Sequence, residues 1–167
     1  LQAQADRAPE VVFVCDGAQW IWRIVDHYYP QAVQIVDWFH ATEYIAPVAN
    51  LAFSADGKRQ AWIEQVRTLL WEGDLDAVIQ AFNQFTQHQR AGEEAQKAAT
   101  YFTNNQHRMD YPTYRAKGYQ IGSGTIESGC KQIVSQRLKY RQCICSCHLD
   151  GNFTGYIILQ NLISLQF

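Results

Sequence analysis

The chain has 167 residues, 47% of them hydrophobic and 18% charged, which excludes an intrinsically disordered segment. That length suffices for one domain with its own core, and no apolar run approaches the ~18 residues that would cross a bilayer. The net charge of −2 hides an uneven distribution. Residues 1–107 carry seven Lys and Arg against thirteen Asp and Glu, a net of −6. Residues 108–141 carry seven against two, a net of +5. A basic segment around the single Glu127 is what a carboxylate site handling phosphates needs, and it is equally what a solvated basic helix face looks like. Leu1 is not an initiator Met and no basic n-region follows it, so the chain reads as cut from something longer.

Val-Val-Phe-Val-Cys over residues 11–15 is an apolar run ending at Asp16-Gly17, the pattern of a buried strand that stops at a site loop. Trp20, Ile21, Ile24, Val25 and Tyr28 then recur at helical spacing, and Pro30 closes that helix. Residues 32–36 make a second strand, ending at Asp37. Strand, helix and strand with tight links predict a parallel βαβ unit with a right-handed crossover. Functional residues of such units collect at the carboxyl ends of the strands, where Asp16 and Asp37 fall.

Residues 39–107 read as almost wholly helical. The helix over 40–53 should be kinked or restarted by Pro47. Residues 61–71 carry Trp62, Ile63, Val66, Leu69 and Leu70 and stop at Gly73. Asp74 suits the cap of the next helix, with Leu75, Val78, Ile79, Phe82 and Phe85 inward. Residues 93–103 give a weaker, more polar helix. Residues 108–123 read as irregular, ending in Gly122-Ser123-Gly124. Ser123 is positioned to cap a helix over about 125–140, with Ile126, Ile133, Val134 and Leu138 inward. Beyond Arg141 the periodicity breaks. The expected organisation is thus a βαβ portion (1–38), a helical insertion (39–107), a loop and helix (108–141) and an aberrant tail (142–167).

Five cysteines, an odd number, fit a reducing compartment better than a disulfide framework. Cys143, Cys145, Cys147 and His148 lack the two-residue ligand spacing and the distant partner cluster of a zinc site.

Two divalent ions about 3.5–4 Å apart activate an attacking oxygen and stabilise a leaving one in phosphodiester cleavage. Hard cations such as Mg²⁺ take carboxylate oxygens and water. Asp16 at a strand end and Glu127 in the first turn of a late helix suit that scheme. Each alone reads as readily as a turn residue or a solvent-facing Glu, so the weight rests on their occurring together in longer motifs.

Those motifs are Val-Cys-Asp16-Gly-Ala-Gln-Trp-Ile-Trp, then Tyr-Tyr-Pro-Gln-Ala-Val-Gln-Ile-Val-Asp37-Trp-Phe-His40-Ala-Thr-Glu-Tyr, then Gly122-Ser-Gly-Thr-Ile-Glu127. Over roughly residues 10–141 they resemble DDE transposases of the ISKra group of bacterial insertion sequences, distant relatives of the Mutator-type enzymes. The resemblance implies an α/β, ribonuclease H-like fragment with a large all-helical insert before the last catalytic helix. It makes Asp16 the second catalytic Asp and Glu127 the final Glu, both metal ligands, with Asp37 and His40 as an accessory catalytic pair. In another register Asp16 and Asp37 are the two aspartates. Their separation of 21 residues and the single helix between them argue against it.

The implied parent enzyme hydrolyses a phosphodiester at each transposon end and uses the freed 3′-hydroxyl to attack target DNA, with Mg²⁺ or Mn²⁺. Its partners would be transposon-end and target DNA, and it would be a homo-oligomer in the bacterial cytoplasm, at the nucleoid when bound to DNA. Arg137, Lys139 and Arg141 would hold phosphates. Trp20, Trp22, Trp38 and Phe39 suit either base stacking or core packing. His40 suits a phosphate contact or a plain packing role, and Asp37 a helix cap. The family's first catalytic Asp has no counterpart here, and the family's ordered continuation beyond Arg141 is missing, as a frameshift near residue 142 would produce. An inactive remnant with at most DNA-binding ability is therefore the rival reading. A cellular nuclease of the same fold is disfavoured by the Asp-Gly-Ala and Gly-Ser-Gly-x-Ile-Glu blocks.

Overall fold

A computed structural model of the chain describes residues 10–122, 142–149 and 153–160. It is a mixed α/β structure, mostly helical, that divides into two compact units. One comprises Leu1–Asp37 and Gln120–Phe167, the other Trp38–Tyr119.

The first unit is built on strand β1 (Glu10–Cys15), helix α1 (Gln19–Tyr28) and strand β2 (Val33–Val36). The two strands are parallel, with Val12 opposite Val33 and Cys15 opposite Val36, as the βαβ reading predicts. Val12, Phe13, Val14 and Cys15 are all buried. Four successive buried residues mean that both faces of β1 are covered, which is why its sequence is a continuous apolar run and does not alternate. Helix α1 differs from expectation in the face it buries. Ile21, Trp22 and Val25 are inside, while Trp20, Ile24 and Tyr28 are exposed. Ile21 and Val25 stand one turn apart, and adding Trp22 completes an inner stripe that leaves the 20–24–28 row outside.

Two further strands, β3 (Gln142–Leu149) and β4 (Phe153–Gln160), complete a sheet in the order β2-β1-β3-β4. β3 runs antiparallel to β1, with Phe13 opposite Cys145 and Val11 opposite Cys147, and β4 runs antiparallel to β3. Residues 142–149 and 153–160 contain no Asp, Glu, Lys or Arg, and Ile, Tyr, Phe and Thr favour extended backbone. This composition explains the break in helical periodicity after Arg141.

The second unit is helical: α2 (Trp38–Glu43), α3 (Ile45–Ala52), α4 (Asp56–Glu72), α5 (Leu75–Asn83), α6 (Gly92–Asn105), a 3₁₀ turn at Gln106–Arg108 and α7 (Tyr111–Ala116). The chain restarts at Tyr44, so that Pro47 falls in the first turn of α3, where a missing N–H costs nothing. The core is aromatic. Phe82 and Phe102 stack at 5.3 Å and 19°, and Trp62 meets Phe82 edge-on at 5.7 Å. Full burial of rings of this size contributes about 1.5–3 kcal/mol each. Helix α6 is less peripheral than its polar sequence suggests. It turns Ala95, Ala98, Ala99 and Phe102 inward, the small side chains admitting close neighbours.

Residues 108–119, expected to be irregular, belong to this unit and contain α7. Asp110 accepts a hydrogen bond from Thr113 N at 3.3 Å, Pro112 lies in the first turn, and fully buried Tyr111 anchors the helix. Six residues are too few for helical periodicity to show in sequence. Among the described residues, no helix is long and apolar enough to cross a membrane.

The α4–α5 junction is fixed by two adjacent residues. Gly73 sits at φ +82°, and Asp74 N donates to Leu69 O at 3.0 Å, closing the end of α4. The Asp74 carboxylate then accepts from Ala77 N at 3.1 Å, opening α5 as the sequence predicts. A Cβ on Gly73 would come within 3.0 Å of Pro112 Cγ, in addition to the left-handed strain. We expect Asp74→Ala to cost about 1 kcal/mol and Gly73→Ala more, about 2 kcal/mol. Denaturant unfolding followed by circular dichroism checks the order.

Candidate functional site

The parallel ladder delivers Asp16 and Asp37 to the same edge of the sheet. With Cys15 paired to Val36, both aspartates are the next residue along neighbouring strands. The Asp37 amide donates to the Cys15 carbonyl at 2.7 Å, so a single backbone hydrogen bond ties the residue before Asp16 to Asp37 itself. Asp37 is only 6% exposed and Asp16 is half-buried. A carboxylate as buried as Asp37 requires hydrogen bonds or a cation to offset its lost hydration.

Asp16 also shapes its own loop. Its Oδ1 accepts from Ala18 N at 3.0 Å, and Gly17 between them is at φ +88°. This Asx turn reverses the chain out of β1 and into α1. It explains Asp-Gly-Ala as a unit: the carboxylate closes the turn, the glycine supplies the left-handed conformation, and α1 begins at Gln19. An ionised carboxylate offers about four lone-pair positions, so one amide hydrogen bond is compatible with metal ligation.

Glu127, Arg137, Lys139 and Arg141 lie outside the described residues. Among the described residues, no group of three or more His, Cys, Asp or Glu is arranged to hold a metal ion. Asp16 and Asp37 give two carboxylates at one sheet edge, hard-oxygen donors of the kind Mg²⁺ takes.

The expectation of free thiols is corrected at Cys15, which is buried and disulfide-bonded. Spacing along the chain does not reveal which thiols meet, because that follows from how distant segments pair.

His40 belongs to the helical unit. Its Nδ1 lies 3.2 Å from Glu43 Oε2. Its ring is flanked by Tyr44 (6.0 Å between centroids, 82°) and Tyr101 (6.2 Å, 64°). Glu43 and Tyr44 end the second block motif without a role assigned to them, and Tyr101 lies in none of the blocks. The His-x-x-Glu-Tyr spacing on a helix, at i+3 and i+4, was the available clue for the first two.

The four candidate stacking residues divide. Trp22 is buried, and Trp38 packs edge-on against Trp71 and Tyr111, each at 5.1 Å. Both are packing residues. Trp20 and Phe39 are exposed. Of the basic residues near 108–117, Arg115 is committed within the fold: its guanidinium lies 3.8 Å over the Trp71 ring and donates to Trp71 O at 2.8 Å. Nearby, burial and then Asp110 push the Tyr114 phenol above its ordinary pKa.

A cavity of about 470 Å³ in the helical unit is lined by Gly73, Asp74, Leu75, Asp76, Gln106, His107 and Asp110. Two of its three carboxylates, Asp74 and Asp110, are already helix caps.

No protein-family model, curated protein or solved structure matches this chain.

The turn geometry separates the structural role of Asp16 from its chemistry. Asparagine retains the oxygen that accepts from Ala18, whereas alanine loses it. Asp16→Asn is expected to keep stability within about 0.5 kcal/mol, Asp16→Ala to lose about 1 kcal/mol, and Gly17→Ala to lose about 1–2 kcal/mol. Denaturant midpoints at constant slope check all three.

Proposed function

We propose that this chain is part of the catalytic domain of a DDE transposase of the ISKra group, with a ribonuclease H-like fold, acting in metal-dependent cleavage and strand transfer of DNA. The observation that carries the reading is the placement of Asp16 and Asp37 at adjacent carboxyl ends of parallel strands, one hydrogen bond apart in the backbone. The block motifs support it from the sequence side. Asp16 and Glu127 hold the metal in this reading, Asp37 stands beside Asp16, and His40 assists. A bound Mg²⁺ or Mn²⁺ would supply activation of the attacking oxygen and charge stabilisation at the phosphate. The residues of the chain orient the phosphodiester and hold the carboxylates in place. Arg137, Lys139 and Arg141 neutralise DNA phosphates.

The rival reading, an inactive remnant that at most binds DNA, is favoured by one specific observation. It is that the family's first catalytic Asp has no counterpart in this sequence.

Two experiments separate these readings. In the full-length parent enzyme, Asp16→Asn or Glu127→Gln is expected to lower strand cleavage about a thousandfold or more, because a metal ligand carries several kcal/mol of transition-state stabilisation. Near-normal cutting by either variant would refute the assignment. For the chain itself, gel-shift titration with DNA across salt is expected to show binding that weakens steeply as salt rises. Absence of binding even at low salt leaves only the remnant.

A further inference from the structure

Residues 84–91 join α5 to α6, and His88 organises this connection. Its backbone N–H donates to Phe85 O at 2.9 Å, and its carbonyl accepts from Gly92 N at 2.8 Å. The side chain binds the residues in between. Nδ1 accepts from Arg90 N at 3.3 Å and from Ala91 N at 3.2 Å, so three successive amides converge on one residue. Ala91 is fully buried, where a backbone N–H needs a partner. The chain also doubles back closely here: a Cβ on Gly92 would fall 2.6 Å from Thr86 O. The imidazole is half-buried beside the Phe85 ring, at 6.2 Å and 71°, and remains open to protons from solvent.

Backbone amides only donate, so Nδ1 is the acceptor nitrogen of a neutral ring and the ring N–H sits at Nε2. A protonated imidazole donates from both nitrogens and would turn an N–H toward the two amides. We propose that His88 is a proton-operated cap. Neutral, it holds the start of α6 to the end of α5; protonated, it releases Arg90 and Ala91. The two hydrogen bonds exist only with the neutral ring. They are therefore present above the range where an ordinary imidazole charges, about pH 6.5, and are lost as pH falls through it. The charged groups around the turn do not offset this. Arg90, within it, is itself a cation. Glu93 and Glu94 at the start of α6 are both engaged by Lys97, at 2.9 Å. Helix α4, which meets Phe85 through Trp62, begins with Asp56 paired to Arg59. Helix α3, whose following residue Phe53 also meets Phe85, carries no charge, and the single charge of α5, Asp76, lies at its far end. Among the described residues no carboxylate forms an ion pair with His88. The cap would work alike in a transposase domain and in a remnant.

The test is made by NMR on this chain, without DNA or metal. At about pH 8, where an ordinary imidazole is neutral, a long-range proton–nitrogen correlation is expected to show His88 with Nε2 protonated and Nδ1 unprotonated. The signals are identified by their loss in His88→Asn. Amide exchange then reads the cap itself. Relative to intrinsic rates, protection of Arg90 and Ala91 is expected to fall about tenfold between about pH 8 and about pH 5, the loss of roughly one net hydrogen bond. In His88→Asn the side-chain Oδ1 accepts in place of Nδ1 and does not titrate, so protection is expected to hold at both pH values. Majority Nδ1–H in the wild-type chain overturns the proposal, as does protection that stays level with pH. An equal fall in His88→Asn also overturns it, because other groups then drive the change. If His88→Asn does not fold, the wild-type chain decides alone: a fall confined to the α5–α6 connection supports the cap, and an equal fall in the amides of α4 overturns it.

Discussion

The hydrogen bond from the Asp37 amide to the Cys15 carbonyl is the last rung of the parallel ladder between β1 and β2, and the candidate site depends on it. Parallel pairing aligns the two strands in the same direction, so the residues that follow them emerge at one edge. Antiparallel pairing of the same two runs would have sent Asp16 and Asp37 to opposite ends. The ladder is in turn held by burial of Val12, Phe13, Val14, Cys15, Ile35 and Val36, none of which is more than 4% exposed. An apolar core thus fixes the position of two carboxylates, one of them nearly buried. The free energy that keeps Asp37 out of water comes from burial of the β1–β2 pair that it follows.

The helical unit solves a different problem. Its helices are joined by short connections, and each junction needs a local device to satisfy backbone groups left over at helix ends. Gly73 and Asp74 close one helix and open the next, and Asp110 with Pro112 opens α7. The carboxylates around the adjacent cavity are therefore mostly structural. The same holds for Arg115, which a reading of charge alone counts toward a phosphate-binding segment but which the fold spends on the ring and carbonyl of Trp71. The Tyr44–Tyr101 stack adjoins His40 and joins the start of α3 to α6.

These features bear on the two functional readings in opposite directions. Paired aspartates at a parallel sheet edge and a carboxylate-linked histidine fit an enzyme that handles phosphodiesters. The Asx turn at Asp16 fits either reading, since it would persist in a remnant that had lost its catalysis. What distinguishes an Asp that closes a turn from one that also binds a metal is the remaining donor set, and Glu127 is the residue on which that rests.

Local chemistry made much of the fold legible in the sequence. The apolar runs, Pro30, Gly73 and Asp74 announce β1, α1, β2 and the α4–α5 junction, because strand burial, missing N–H groups, left-handed glycine and side-chain capping act within a few residues. The Asp-Gly-Ala turn is of the same kind. Tertiary structure decided what depends on distant partners: which face of α1 is inside, the pairing of β3 with β1, the disulfide at Cys15, and the diversion of Arg115 to Trp71. It also decided the setting of His40, where Glu43 lies one turn away but Tyr101 lies 61 residues further along the chain. Periodicity and capping are local and can be read in order. Side-chain partnerships follow from how elements pack, which no spacing along the chain encodes.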